Sequence, residues 1–76
     1  MKICRITQEA RAFYQDNDSM NSRWRSANVV VGDIVVIIRE VAVHGLTEAL
    51  ILSGRLGVGF MVYPTNERKY LLEEIE

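Results

Sequence analysis

The sequence predicts an all-β fold: a small barrel of about five strands, with a long first loop and a short helical turn before the last strand. Three observations lead there. The stretch from Val29 to Ile38 is β-branched throughout except for Gly32-Asp33. Valine and isoleucine are stiff at χ1 and pack well on a pleated surface. Ser53-Gly54 separates two apolar runs, as the loop of a hairpin does. Gly57 and Gly59 alternate with apolar residues, which suits a strand that coils strongly or is approached closely.

The bulk properties fit this class. Seventy-six residues, 49% of them hydrophobic, make one domain over 1–76 whose core needs no metal or disulfide. Cys4 has no second cysteine to pair with and reads as a small buried hydrophobe on the first strand. A lone cysteine favours a reducing compartment, so the expected location is the cytoplasm. The net charge of −1 argues against an obligate polyanion binder. The charge is uneven. Lys2, Arg5, Arg11, Arg23 and Arg25 outnumber Glu9, Asp16 and Asp18 in the first third, while acids outnumber bases after Val29. A basic end and an acidic end suit head-to-tail association as well as a foreign partner. The run Ile34–Ile38 is far shorter than a bilayer span, and the first residues lack the apolar region of a signal peptide, so no membrane partner is expected.

Taken in order, Lys2 to Ile6 alternates polar and apolar residues and reads as a short strand. Thr7 to Tyr14 fits a helix capped by Thr7 or a strand with Ala10, Ala12 and Tyr14 on one side; the β character downstream favours the strand. Gln15 to Asn28 is rich in Asn, Asp and Ser, which bond their own backbone in turns, and is expected to be a long, specificity-bearing loop. Strand residues resume at Val29 and run to about Val43, bent at Gly32-Asp33 and moving towards solvent after Ile38. His44-Gly45 marks a turn. Residues 47–52 form the next strand; a helix over 47–53, capped by Thr47 and ended by Gly54, is the alternative. A two-residue turn at Ser53-Gly54 would set Leu52 opposite Arg55, Ile51 opposite Leu56 and Ala49 opposite Val58. One face then carries Ala49, Ile51, Leu56, Val58 and Phe60, the other Leu50, Leu52, Gly57, Gly59 and Met61. Both are apolar, so one of them needs a cover, either the long loop or a second subunit. Pro64 ends this hairpin, residues 66–69 suit one helical turn, and residues 70–75 close the chain as a strand or as an extension of that turn.

In this order the motifs resemble those of a Src-homology-3-type barrel. Ala10-Arg11-Ala12-Phe13-Tyr14 is similar to that family's opening strand, Gly32-Asp33-Ile34 to its Gly-Asp-Ile, Ser53-Gly54-Arg55-Leu56-Gly57 to its distal hairpin, and Pro64 with Tyr70-Leu71 to its closing proline, helical turn and final strand. The resemblance covers residues 10–75 through short motifs. It implies a peptide groove to which Tyr14, Pro64 and Tyr70 contribute, with Asp16 and Asp18 as loop acids. The family's strand-opening tryptophan is replaced by Thr47-Glu48 and its second opening aromatic by Asp16. A polyproline helix docks on a row of rigid aromatics. Half of that row is missing, so the resemblance extends to the fold and not to the ligand.

Arg23-Trp24-Arg25 is the one chemically pointed cluster. Trp and Arg are enriched at binding hot spots, and the same trio could stack a base and hold its phosphate. The bland alternative folds Trp24 back over the open end of the barrel. One histidine, His44, and one cysteine supply no assembled base, orienting group and oxyanion donor, and no metal-ligand spacing. The expected function is therefore a non-enzymatic protein-binding module, without cofactor or metal. Its partner-binding residues are Tyr14, Asp16, Asp18, Arg23, Trp24, Arg25, Pro64 and Tyr70. The alternatives are nucleic-acid or ribonucleoprotein contact through Arg5, Arg11 and the Arg/Trp cluster, or a small inhibitor or subunit, encoded by a bacterium or phage, that acts as a homo-oligomer through an apolar sheet face.

Overall fold

The computed structural model describes residues 1–16 and 23–75. Seven strands run in the order β1 (Lys2–Ile6), β2 (Ala10–Asp16), β3 (Arg23–Val29), β4 (Ile34–Val43), β5 (Leu46–Ser53), β6 (Gly57–Pro64) and β7 (Leu72–Glu74). A 3-10 turn (Thr65–Glu67) and helix α1 (Arg68–Leu71) precede β7. All strands join one antiparallel sheet in the spatial order β3-β2-β6-β5-β4-β1-β7. The all-β expectation holds, with seven strands in place of about five. Between β3 and β7, the two ends of this order, there is no ladder among the described residues. The sheet nevertheless curls on itself, because Val29 of β3 and Leu72 of β7 share one core with Cys4, Ile6, Ala12, Val35, Ile37, Ala49, Ile51, Met61, Tyr63 and Leu71.

One strand not expected is β3, which lies inside the segment expected to be a loop over 15–28. Gln15 and Asp16 belong to β2, and Arg23 to Asn28 belong to β3. Every residue from Ala10 to Asp16 pairs with one from Val29 to Arg23. Only Val29 of β3 is fully buried, so the strand is held by its backbone ladder and not by an apolar face. Polar side chains hide such a strand from periodicity reading.

The bends fall where turn residues stand. After Val29 the chain turns at 30–33: Asp33 N donates to Val30 O at 3.0 Å, and Gly32 takes φ +96°, a region favouring glycine. Asp33 Oδ2 accepts from Val30 N at 3.0 Å and from Arg55 Nη2 at 2.9 Å. Arg55 Nη2 also donates to Asn28 O at 2.7 Å, tying the β5–β6 turn to the β3–β4 turn. These donors hold the Asp33 carboxyl below its ordinary value of 3.8, with the Arg55 hydrogen bond as the largest cause. Val43 faces Leu46 across His44 (φ 53°) and Gly45 (φ 79°). Two left-handed residues make a tight hairpin whose twist matches its strands.

Residues 47–53 are strand, not helix. The turn that follows has three residues, Gly54 to Leu56, since Ser53 pairs with Gly57, Leu52 with Val58 and Ile51 with Gly59. Ser53 Oγ accepts from Arg55 N and Leu56 N, at 3.2 and 3.1 Å, and holds the wider turn. The two-residue register is thereby corrected, and the faces change with it. Thr47, Ala49, Ile51 and Ser53 line the core with Gly59, Met61 and Tyr63; Leu46, Glu48, Leu50 and Leu52 look outward with Val58, Phe60 and Val62.

The bulge in β4 has a similar effect. Ile37 pairs with Ile51 but Arg39 with Leu50, so Ile38 is an extra residue. Unbroken alternation from Val35 and Ile37 would turn Arg39 into the core. The bulge sends Arg39 outward and Glu40 inward, where the carboxylate takes Nε and Nη2 of Arg68 at 2.8–3.2 Å. Arg68 Nη1 also reaches Glu74 at 3.2 Å, so α1 is clamped against β4 and β7. The bond to Glu40 holds the guanidinium firmly charged. The Tyr63 hydroxyl is buried beside this cluster without a well-formed hydrogen bond, and burial pushes its pKa up.

Candidate binding face

One side of the sheet is core; the other is an apolar surface left open. Strand alternation places Val36 of β4, Leu50 and Leu52 of β5, Val58, Phe60 and Val62 of β6, and Phe13 of β2 on the outer side. Leu50, Leu52, Val58 and Val62 are all exposed, as are Val41, Val43 and Leu46 of the β4–β5 hairpin. A folded monomer rarely shows a continuous apolar patch of more than several hundred Å² unless it is used.

The aromatic end of this face is built by Gly59. Its hydrogen faces the Phe13–Tyr14 backbone so closely that a Cβ there would overlap Phe13 O. β2 can therefore lie against β6 with Phe13 opposite Phe60, ring centroids 5.5 Å apart. Trp24 sets its ring edge-on to Phe60 at 5.1 Å and 68°, a favoured arrangement of aromatic quadrupoles. The indole is still 55% exposed. Trp24 is thus neither a plug over the open end of the sheet nor a loop residue; it is the outermost ring of a three-ring cluster.

The hairpin end is shaped differently. β1 covers β4 only over Ile34 to Ile37, so the hairpin runs on beyond it. There Arg39, Val41, Val43, Leu46, Glu48 and Val62 line an open groove of about 330 Å³. Nothing in the alternating sequence marked this groove, since its outward Arg39 depends on the bulge at Ile38.

The sequence-predicted site residues are dispersed. Alternation in β3 divides the Arg-Trp-Arg cluster: Trp24 faces outward, and Arg23 and Arg25 belong to the opposite side of the β2–β3 ribbon, where Arg25 pairs across from Tyr14. Trp24 therefore cannot have both arginines as its rim charges. Tyr14 stands opposite Gly59, and Pro64 comes at the far end of β6, about 16 Å further along at the usual strand rise. These two do not form one groove. Tyr70 is exposed on α1, under the Lys69 ammonium at 5.2 Å, and its carbonyl accepts from Thr7 Oγ1 at 2.6 Å. Asp16 ends β2 opposite Arg23, and Asp18 lies outside the described residues. The arginines named for nucleic-acid contact do not gather either: Arg5 and Arg11 are both on the outer side, but on β1 and β2 with three strands between them, Arg5 bound to Glu73 at 2.7 Å, and Arg23 and Arg25 are on the opposite side.

The Cys4 thiol is fully buried on β1, and burial pushes its pKa up, away from thiolate character. Cys4 pairs with Val35, whereas His44 sits in the hairpin turn, some 25 Å along β4 at the usual rise. The two cannot act together. Among the described residues no group of three or more His, Cys, Asp or Glu is placed to hold a metal ion, and no helix is long and apolar enough to cross a membrane. No protein-family model, curated protein or solved structure matches the chain.

Proposed function

We propose that this protein is a non-enzymatic protein-binding module of Src-homology-3-like build, a small interaction or regulatory protein that docks its partner on the aromatic end of the outer sheet face. The observation that carries this reading is Trp24, a large ring held in place by Phe60 and yet more than half exposed. A rigid, exposed aromatic with apolar neighbours has the makings of an interface anchor, because it gains contact area at low entropic cost. The chain order supports the Src-homology-3-like comparison. Ala10-Arg11-Ala12-Phe13-Tyr14 opens β2, Gly32-Asp33-Ile34 leads into β4, and a helical turn precedes the last strand. The ligand differs from that family's, because Tyr14 and Pro64 are apart and Trp24 stands on the other side of the ribbon from Tyr14. The partner expected is a protein with an apolar surface for the three rings.

Affinity capture from a lysate of the source cell, with wild type beside Trp24→Ala and with and without nuclease, tests this. The expected result is a discrete protein that survives nuclease and is lost with Trp24→Ala, while the melting temperature stays within about 4 °C, as for a surface change of about 0.5 kcal/mol. Recovery that vanishes with nuclease would replace this reading by nucleic-acid binding. A Trp24→Ala variant that loses most of its stability would make the indole a structural ring.

A further inference from the structure

The hairpin end of the outer face differs from the aromatic end in carrying charge of both signs. Arg39 and Glu48 lie diagonally across the neighbouring strands β4 and β5: Glu48 stands between Val41 of β4 and Val62 of β6, and Arg39 lies at one end of the apolar stripe of Val41, Val43, Leu46 and Val62. Arg5, an outward cation on the adjacent strand β1, is already paired with Glu73. Arg68, Glu40 and Glu74 are taken up in the clamp on the inner side. Arg39 and Glu48 make no ion pair or hydrogen bond among the described residues, with each other or with any other group.

We infer that this groove is a self-association surface: a second copy of the chain docks on it face to face about a two-fold axis, with Arg39 of each copy against Glu48 of the other. A two-fold contact brings every residue i of one copy to j of the other and j to i. A surface with a cation and an anion side by side satisfies that rule when the axis passes between them, and a surface of one sign would repel its twin. The four apolar side chains are each about half exposed. With the two charged stems they offer each copy on the order of 500 Å², so the pair buries about 1,000 Å², the lower end for a specific interface. The association expected is therefore weak and concentration-dependent. It uses a different end of the outer face from Trp24 and does not depend on the partner proposed above.

Sedimentation velocity of the full chain, from about 1 μM to about 1 mM, tests this, with Arg39→Glu, with Glu48→Arg and with their equimolar mixture. Wild type is expected to pass from monomer to dimer. Each single variant faces its twin with like charges, so its midpoint is expected to rise at least tenfold. The mixture is the decisive arm, because each variant then meets its opposite in both contacts and dimers return. A pairing within one copy would not be repaired by mixing. Val43→Lys, in the exposed stripe, is a second variant expected to weaken the dimer should either charge reversal fail to fold. A wild type that stays monomeric throughout, a dimer indifferent to the reversals, or a mixture that remains as dissociated as its components would each overturn the inference. The first of these would leave the groove to a foreign partner.

Discussion

The two sides of β5 are made of the same strand and answer to opposite demands. Inward it presents Thr47, Ala49, Ile51 and Ser53, all buried; outward it presents Leu46, Glu48, Leu50 and Leu52, all exposed. The larger apolar residues are on the solvent side. The inner side of a tightly curled sheet has little room, and Met61, Tyr63 and Ile51 already fill it, so small residues fit there. The outer side has no such limit. Burial in this molecule follows curvature before it follows hydrophobicity, and leucines left outside are material for contact with another surface.

The comparison breaks most completely at Gly59. A methyl group there has no room against Phe13 O, so Gly59→Ala is expected to pry β2 and β3 from β6, at a cost of roughly 3 kcal/mol or more. Urea unfolding checks it, together with loss of the tryptophan signal that reports the Trp24–Phe60 contact. The next effect is a contrast within β5. Ile51→Ala leaves a cavity in the core and is expected to cost about 2–4 kcal/mol. Leu50→Ala, one residue away on the outer side, is expected to cost less than about 1 kcal/mol, because its methyl groups already meet solvent. Equal costs for the two would mean that the outer side is packed in solution. The smallest effect concerns the turn lock. The Asp33 carboxyl is held below its ordinary value of 3.8, so the folded form favours the carboxylate. That contribution is present above the unfolded value and is lost as pH falls through the lower, folded one. Asp33→Asn is therefore expected to lower stability near neutral pH and to flatten its decline below about pH 4, the ordinary aspartate range, as read by thermal melts across pH 2–7.

Much of the fold was legible in the residues. Gly32-Asp33 and His44-Gly45 mark bends because left-handed backbone and Asp acceptors are local properties, and the turns form where they stand. The strand β5 was legible for its apolar content, though not its facing. A spacing of one residue in the following turn reverses every side chain beyond it, and Ser53 Oγ, not a dipeptide rule, selects the three-residue form. β3 was hidden because Asn and Ser are turn formers locally and Arg shows no apolar alternation; only its partner β2 makes them a strand. Of the candidate site, Trp24 was legible by its chemistry. Its separation from Arg23 and Arg25 was not, since a loop would have kept the three together. The groove at Arg39 and Glu48 had no sequence signal, because Val-Val-Ile-Ile does not announce which residue will be left out of the ladder.

That omitted residue carries a consequence for how this strand tolerates change. Ile38 is spare length: the ladder resumes after it as though Arg39 followed Ile37. Removing Ile38 would leave each downstream side chain at its present address, whereas removing a residue on either side of it would have to draw on that slack or transpose acid and base between interior and exterior. β4 thus holds one place in reserve. A single deletion there can be absorbed, and the same event in β5, where every residue is paired, cannot.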